Sequence, residues 1–177
     1  ASKYADRFEF DVCDLDNRAV EGYVEAINDA AGEGYDGLVI DSLSHCWKDL
    51  LAQVEKLAQT KYKGNTWSAW SEGTAMQKKI IEAIRSYPGH VFVTMRSKTE
   101  WQTDNGDGKL KIQRVGLSPE QGKGIEYEFD FLLELTVDHI ASVLKDRSGM
   151  FQDKVIEKPG KDFGKKLAEW LEDGDPI

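Results

Sequence analysis

Two short apolar runs constrain the fold of this chain more than any other feature. They are GLVID at residues 37–41 and HVFVTM at residues 90–95, and two segments with apolar residues at helical spacing lie between them. A short, continuous apolar run predicts a strand that is buried on both faces, as in a parallel sheet. Parallel strands need a crossover connection, which the two helical segments supply. The sequence therefore predicts an α/β fold with a mostly parallel sheet flanked by helices.

The flanking segments extend this α/β pattern. Residues 8–12 alternate like a strand, Asp16 or Asn17 is a candidate N-cap, and apolar residues at helical spacing predict a helix from Val20 to Ala31. Downstream, the residues around DNGDG predict a β-hairpin, and residues 129–135 and 140–144 predict two antiparallel strands before a final helix around KKLAEWLEDG. Since no repeat or linker interrupts the pattern, residues 1–177 are predicted to form a single domain.

Composition excludes several classes of protein. With 40% hydrophobic and 31% charged residues the chain is too apolar for a disordered protein, and it lacks the run of about 20 apolar residues that spans a membrane. Two distant cysteines, Cys13 and Cys46, give no disulfide framework, which predicts a cytoplasmic protein. The formal charge of −9 argues against a dedicated duplex-DNA-binding domain.

The strongest local signal for chemistry is the end of the first apolar run. Asp41 and Ser42 follow Ile40, so a carboxylate and a hydroxyl are predicted at the carboxyl end of a parallel strand, where open α/β folds bind ligands. In P-loop NTPases such an acid holds Mg²⁺ beside the β- and γ-phosphates. The motif fits equally well an acid that merely ends a strand before a helix.

Polar and cationic side chains follow two other predicted strands. Thr94 and Arg96 leave the second apolar run at the same predicted sheet edge, where they could sense a γ-phosphate. Lys145 and Arg147 follow residues 140–144, and their i, i+2 spacing on an extended segment points both side chains the same way. By spacing alone, each pair also fits an ordinary solvated charge cluster.

Taken together, these segments resemble a known family. In order and spacing, the chain from about residue 2 to residue 173 is similar to the phage and prophage ATP-binding proteins of the RecA-like P-loop class, which are AAA-family ATPases. The segments that carry the resemblance include SKYADRFEFDV, GYDGLVIDSLSHCW, HVFVTMRSKTEW, GLSPEQGKGIEYEFD and DHIASVLKDRSGMF. The resemblance implies a RecA-like core that binds ATP and Mg²⁺ and acts in DNA recombination or replication, in the host cytoplasm if the protein is phage-encoded.

The resemblance also implies roles for the candidate residues at the sheet edge. Asp41 would be the Walker B acid, on the Mg²⁺ side of the nucleotide, with Ser42 beside it. Thr94 and Arg96 would occupy the sensor position after the next central strand.

A further implication concerns the cations near the C-terminus. Lys145 and Arg147 resemble the Lys-x-Arg finger pair of RecA-like motors, which reaches the nucleotide bound to an adjacent subunit. Such fingers stabilise charge on the transferred phosphoryl group. They work only in an oligomer, so the resemblance implies a homo-oligomeric ring or filament.

The Walker A motif GxxxxGK[ST] does not occur in the 177 residues. None of the Gly-Lys pairs, at residues 108, 122, 160 and 164, is followed by Ser or Thr. The resemblance therefore implies that the sequence corresponds to the part of the ATPase that is C-terminal to the P-loop, without the P-loop βαβ unit. On this interpretation the complete protein hydrolyses ATP, and the 177-residue chain alone is inactive.

Two alternatives come from other classes of protein. The first is a non-catalytic module on the same fold that binds single-stranded DNA or a partner protein, with Trp67 and Trp101 as stacking surfaces and Lys61 and Lys63 as positive charge. The second, less favoured, is a nuclease that uses the acid-x-Lys triplet at residues 107–109.

The histidines and cysteines lack the spacing of a metal site. His45 is close enough in sequence to Asp41 to approach a nucleotide, although a hydrogen-bonded structural histidine is the simpler interpretation.

Overall fold

The computed structural model of the chain describes residues 7–104 and 111–172, without the side chains of residues 99–104 and 111–116. It divides into two compact units, Ala1–Gly122 and Lys123–Ile177. The single domain predicted for residues 1–177 stays a prediction.

The first unit contains the predicted parallel strands. Its elements are α1 (Val20–Gly32), β1 (Gly37–Ile40), α2 (Leu43–Thr60), α3 (Thr66–Arg85), β2 (His90–Val93), β3 (Ser97–Asp104) and β4 (Lys111–Pro119). Strands β1 and β2 pair in parallel, from Gly37 opposite His90 to Ile40 opposite Val93. This pairing confirms the parallel sheet that the two apolar runs predict.

Apolar side chains of the three helices form most of the core of this unit. The fully buried side chains include Val20 from α1 and Leu43, Leu50 and Val54 from α2. Gly73 of α3 lets α2 approach closely, because a Cβ atom at that position would lie 2.5 Å from Cγ2 of Val54. Helices α2 and α3 also contact each other through Trp47 and Trp70, whose ring centroids are 5.9 Å apart.

The β1–β2 sheet exposes one of its faces, which corrects the prediction of strands buried on both faces. Val39 and Phe92 lie opposite each other in register and are 67% and 52% exposed. Ile40, on the alternate face of β1, is 7% exposed. The apolar runs therefore identified the strands correctly, but not the burial of both faces.

The predicted strand at residues 8–12 is wrong for the described residues. Phe8, Phe10 and Val12 are exposed in a segment without ladder pairing, although the Tyr35 hydroxyl donates a hydrogen bond to Asp11 Oδ2. A segment with an alternating pattern forms a strand only when its backbone pairs with a neighbouring strand.

The N-cap prediction for α1 is also wrong. The cap is Ala19, and Asn17 instead accepts a hydrogen bond from the Ala19 backbone N–H through Oδ1, at 3.1 Å.

The predicted hairpin is confirmed. Strands β3 and β4 pair antiparallel, from Ser97 opposite Pro119 to Asp104 opposite Lys111, with an irregularity between Glu100 and Trp101. The side chain of Trp101 and the nuclease-type triplet at 107–109 lie outside what the structure describes.

The second unit is a small antiparallel sheet with one helix. It contains a 3₁₀ turn (Ile125–Glu128), β5 (Phe131–Leu135), β6 (Ile140–Asp146), β7 (Val155–Glu157) and α4 (Lys161–Glu172). The sheet order is β5-β6-β7, which confirms the two predicted strands and adds β7. Helix α4 packs through Trp170, whose ring centroid is 5.3 Å from that of Phe131.

Candidate functional site

Asp41 and Thr94 meet at the carboxyl ends of the two parallel strands. Thr94 Oγ1 donates a hydrogen bond to Asp41 Oδ1 at 2.7 Å. The backbone fixes this pair, because Thr94 N–H donates to the Ile40 carbonyl and Leu43 N–H donates to the Thr94 carbonyl, both at 3.0 Å. Parallel pairing therefore brings together two residues that are 53 positions apart in the sequence.

The serines that follow Asp41 have different surroundings. Ser42 precedes α2 and is 7% exposed, and its peptide bond to Asp41 is cis. Its hydroxyl does not cap the helix but lies 3.5 Å from His45 Nδ1. Ser44 is completely buried, and its Oγ accepts a hydrogen bond from the Arg96 backbone N–H at 2.9 Å. This hydrogen bond connects the first turn of α2 to the segment that follows β2.

Arg96 completes the group of predicted residues at this edge. Its Nη2 atom lies 3.2 Å from Nε2 of His45, on the exposed side of the cluster. The four residues that the sequence places at the sheet edge, Asp41, Ser42, Thr94 and Arg96, thus lie in one connected cluster. Sequence reasoning did not identify Ser44, whose only signal is its position in the first turn of α2.

The thiol next to this cluster is unreactive. Cys46 is 2% exposed, and burial, with the negative charges of Asp49 and Glu21, raises its pKa to about 12. A thiolate is the reactive form of cysteine. Cys46 therefore contributes packing rather than chemistry.

The difference in exposure between Cys13 and Cys46 predicts how fast a thiol reagent labels each of them. In the native chain a thiol reagent at pH 8 should label the exposed Cys13 rapidly and leave Cys46 unlabelled, whereas both should react in denaturant. The Cys13→Ser variant should show no rapid labelling. Two equally fast thiols in the native chain would contradict the burial of Cys46.

Lys145 and Arg147 converge on one backbone carbonyl in the second unit. Lys145 Nζ donates to the carbonyl oxygens of Glu126 and Tyr127, at 2.9 and 3.0 Å. Arg147 Nη2 donates to the same Tyr127 oxygen at 3.2 Å, and Nη1 forms an ion pair with Asp130 Oδ1 at 2.8 Å. Both cations therefore lie on the same side of the chain, as their spacing predicts.

The residue between these cations stabilises the following turn. Asp146 Oδ1 accepts hydrogen bonds from the backbone N–H groups of Ser148 and Gly149 and from the Ser148 hydroxyl, and Oδ2 accepts from Phe151 N–H at 2.6 Å. Burial alone would raise the pKa of Asp146, but these hydrogen bonds outweigh it and lower the pKa below its ordinary value.

We expect Asp146→Asn to destabilise the second unit by about 1–3 kcal/mol, because the amide Nδ2 would face the Phe151 N–H, donor against donor. The lowered pKa of Asp146 means that its contribution is complete above the ordinary carboxyl value and is lost as pH falls through the folded-state value. The free energy of unfolding, measured against pH, should therefore fall more steeply in acid for the wild type than for the variant. Equal stability at pH 7 would contradict this role, and Asp138→Asn, in an exposed turn, is the control.

The donor set at the sheet edge suits Mg²⁺ bound together with a nucleotide. Mg²⁺ in phosphate-transfer sites is held by one or two carboxylates, substrate phosphates and water. Asp41 supplies one carboxylate. The hydrogen bond from Thr94 uses Oδ1, so Oδ2 remains as the oxygen that could bind the metal. Among the described side chains, no group of three or more His, Cys, Asp and Glu residues could form an all-protein metal cage.

In the same part of the chain, no helix is both long and apolar enough to cross a membrane.

A mixed α/β fold, with a parallel sheet and an acid at a strand end, is compatible with a P-loop NTPase. A family model described as an AAA domain matches residues 2–161, so the chain belongs to the AAA domain family. Membership indicates a nucleotide-binding, ATPase-type domain, for which ATP with Mg²⁺ is the expected ligand, and it confirms the resemblance to AAA-family ATPases. Searches of curated proteins and of solved structures found no match.

Proposed function

We propose that this chain is the part of a RecA-like ATPase core that lies C-terminal to the P-loop, from a cytoplasmic phage or prophage protein of DNA recombination or replication. The observation that carries the nucleotide site is the hydrogen bond from Thr94 to Asp41 at the carboxyl ends of β1 and β2. In P-loop NTPases an acid beside the phosphates helps to hold Mg²⁺, and open α/β folds bind ligands at the carboxyl ends of their strands.

Each residue of the cluster has a role in this proposal. Asp41 would hold Mg²⁺, and the hydrogen bond from Thr94 to Oδ1 would orient the Asp41 carboxylate. Ser42, next to Asp41 in the chain, would lie near the metal, and Arg96 would place a positive charge toward the terminal phosphate. When bound, Mg²⁺ offsets the charge that develops on the phosphates during in-line attack by water.

The proposal requires a phosphate cradle from residues outside the 177, which contain no GxxxxGK[ST] motif. The exposed apolar pair Val39 and Phe92 supports this requirement. Parallel sheets normally have both faces covered by helices. The helix that follows a P-loop strand would cover such a face.

Two measurements test the proposal. The coding sequence upstream of residue 1 should encode GxxxxGK[ST], and a chain extended through that motif should hydrolyse ATP in the presence of Mg²⁺. The 177-residue chain should show no tight MgATP binding in a calorimetric titration. Tight binding by the shorter chain, or an inactive extended chain, would contradict the proposed division of the site.

We also propose that Lys145 and Arg147 act on the nucleotide of a neighbouring subunit in a ring or filament. Their convergence on the Tyr127 carbonyl supports their action as a unit. The ion pair of Arg147 with Asp130 does not oppose this role, because both side chains are about half exposed and such pairs contribute about 1 kcal/mol or less. A phosphate could therefore replace Asp130 as the partner of Arg147.

A second candidate function, binding of single-stranded DNA, is favoured by one observation. Trp67, in the first turn of α3, is 88% exposed, and Lys63 lies in the preceding loop. Stacking of a base on an aromatic ring contributes about 1–3 kcal/mol.

Trp67→Ala should therefore weaken binding of a labelled thymidine oligonucleotide by about tenfold or more in an anisotropy titration, while Trp67→Phe retains part of the affinity. Binding should also weaken as salt is raised, because Lys63 would contact phosphate. Equal affinity of Trp67→Ala and the wild type would exclude this surface.

A further inference from the structure

His45 connects two residues of the candidate site. Its Nδ1 atom lies 3.5 Å from Ser42 Oγ, and its Nε2 atom lies 3.2 Å from Arg96 Nη2. The link to Ser42 is local, because Ser42 is the residue before α2 and His45 lies in the first turn of that helix. The link to Arg96 spans 51 residues and depends on the pairing of β1 with β2.

The chemistry of the partners determines which nitrogen of His45 carries the proton. A guanidinium group can only donate hydrogen bonds, so Nε2 must be the acceptor toward Arg96. A neutral imidazole then carries its proton on Nδ1 and directs it at Ser42 Oγ. The Ser42 hydroxyl, acting as acceptor, keeps its own proton available for another partner.

A neutral partner has a particular consequence for Arg96. Among the described residues, no salt bridge joins the Arg96 side chain to a carboxylate, and the Asp41 carboxylate accepts its hydrogen bond from Thr94. Other cations of the same unit, such as Lys48 and Lys61, pair with glutamates. An imidazole orients a guanidinium without neutralising its charge, whereas a carboxylate would do both.

We propose that His45 is a positioning residue that holds the Arg96 guanidinium toward the terminal phosphate while leaving its charge uncompensated. This role rests on the proposed ATPase function. It predicts that the neutral imidazole of His45 is the Nδ1–H tautomer. It also predicts that the orientation of the Arg96 guanidinium depends on a hydrogen-bond acceptor at the position of Nε2.

The tautomer is tested in the 177-residue chain without nucleotide. Long-range ¹H–¹⁵N NMR spectra of the imidazoles distinguish a protonated from an unprotonated ring nitrogen. At a pH where His45 is neutral, we expect protonated Nδ1 and unprotonated Nε2, and the exposed His90 is the reference ring. A protonated Nε2 in neutral His45 would overturn the proposal, whether or not the protein is an ATPase.

The positioning role is tested in the complete protein by nucleotide selectivity. His45→Phe keeps a ring but removes the acceptor, so the preference for ATP over ADP should fall about tenfold and should not fall further when Arg96→Ala is added. His45→Gln places an amide oxygen near the position of Nε2 and should retain most of the preference. The rescue by His45→Gln serves as the matched control.

The possible failures are distinguishable. Undiminished selectivity in a folded His45→Phe variant, or no rescue by His45→Gln, would overturn the role of His45. Absence of nucleotide binding in the wild-type protein would contradict the proposed ATPase function, and the tautomer measurement would then decide alone on the contact between His45 and Arg96.

Discussion

Asp41→Asn is expected to lower the ATP turnover of the complete protein by about two to four orders of magnitude. Asparagine retains the oxygen that accepts the hydrogen bond from Thr94, so the strand ends should stay in place. It lacks the negative charge that binds Mg²⁺, and a catalytic metal contributes several kcal/mol to stabilising the transition state. The loss should therefore come from the metal rather than from misfolding.

The control for this substitution lies at the other end of the same strand. Asp36 precedes β1, is exposed, and contributes its backbone carbonyl to the His90 N–H at 2.8 Å. Asp36→Asn removes one negative charge without touching the site and should leave turnover within about twofold of the wild type. If Asp41→Asn behaved like Asp36→Asn in a steady-state ATPase assay, Asp41 would not be the metal ligand.

Arg147→Ala is the second substitution for which we expect a large effect. An arginine finger contributes about 10³–10⁵ to the rate of phosphoryl transfer, so turnover should fall by about 10³ or more while MgATP affinity changes little. Lys165→Ala, which removes an exposed cation from α4, is the control. Loss of affinity with unchanged turnover would indicate a binding role instead.

A mixing experiment separates action across the subunit interface from action within one subunit. Asp41→Asn subunits supply an intact finger, and Arg147→Ala subunits supply an intact metal site. Random co-assembly should create functional interfaces at roughly a quarter of all positions, so the mixture should regain activity that neither variant has alone. No recovery in confirmed mixed oligomers would show that Arg147 does not act on the neighbouring subunit.

The parallel strands and the placement of the site could be predicted because they follow from short-range patterns. The apolar runs mark strands that end just before Asp41 and Thr94, and parallel pairing brings such ends to one edge. The interaction of Ser42 with His45 is also local, since Ser42 directly precedes α2 and His45 lies in its first turn. The contact of His45 with Arg96 depends on the pairing of β1 with β2. Because the two residues are 51 positions apart, no local sequence pattern predicts the contact.

The features that sequence reasoning missed depend on neighbours rather than on residue type. The alternation of Phe8 and Phe10 predicts a strand, but no described strand pairs with these residues. Strand β7 has three residues, which is too short for a periodic pattern. The Tyr127 carbonyl that receives Lys145 and Arg147 is a backbone group, which residue identity does not reveal.

Paramagnetic NMR tests the central claim, that a nucleotide-bound metal lies at the Asp41–Thr94 edge, most directly. In the complete protein, Mn²⁺ in place of Mg²⁺ should broaden the Thr94 methyl and Ser42 signals strongly when ATP is present, and Asp41→Asn should abolish the effect. When Mn²⁺ is added at a small fraction of the protein concentration, signals at the far end of the sheet, such as Gly37, about 10 Å further along β1, should broaden less. No ATP-dependent broadening at Thr94, or equal broadening at both ends of β1, would contradict the assignment of this edge as the nucleotide site.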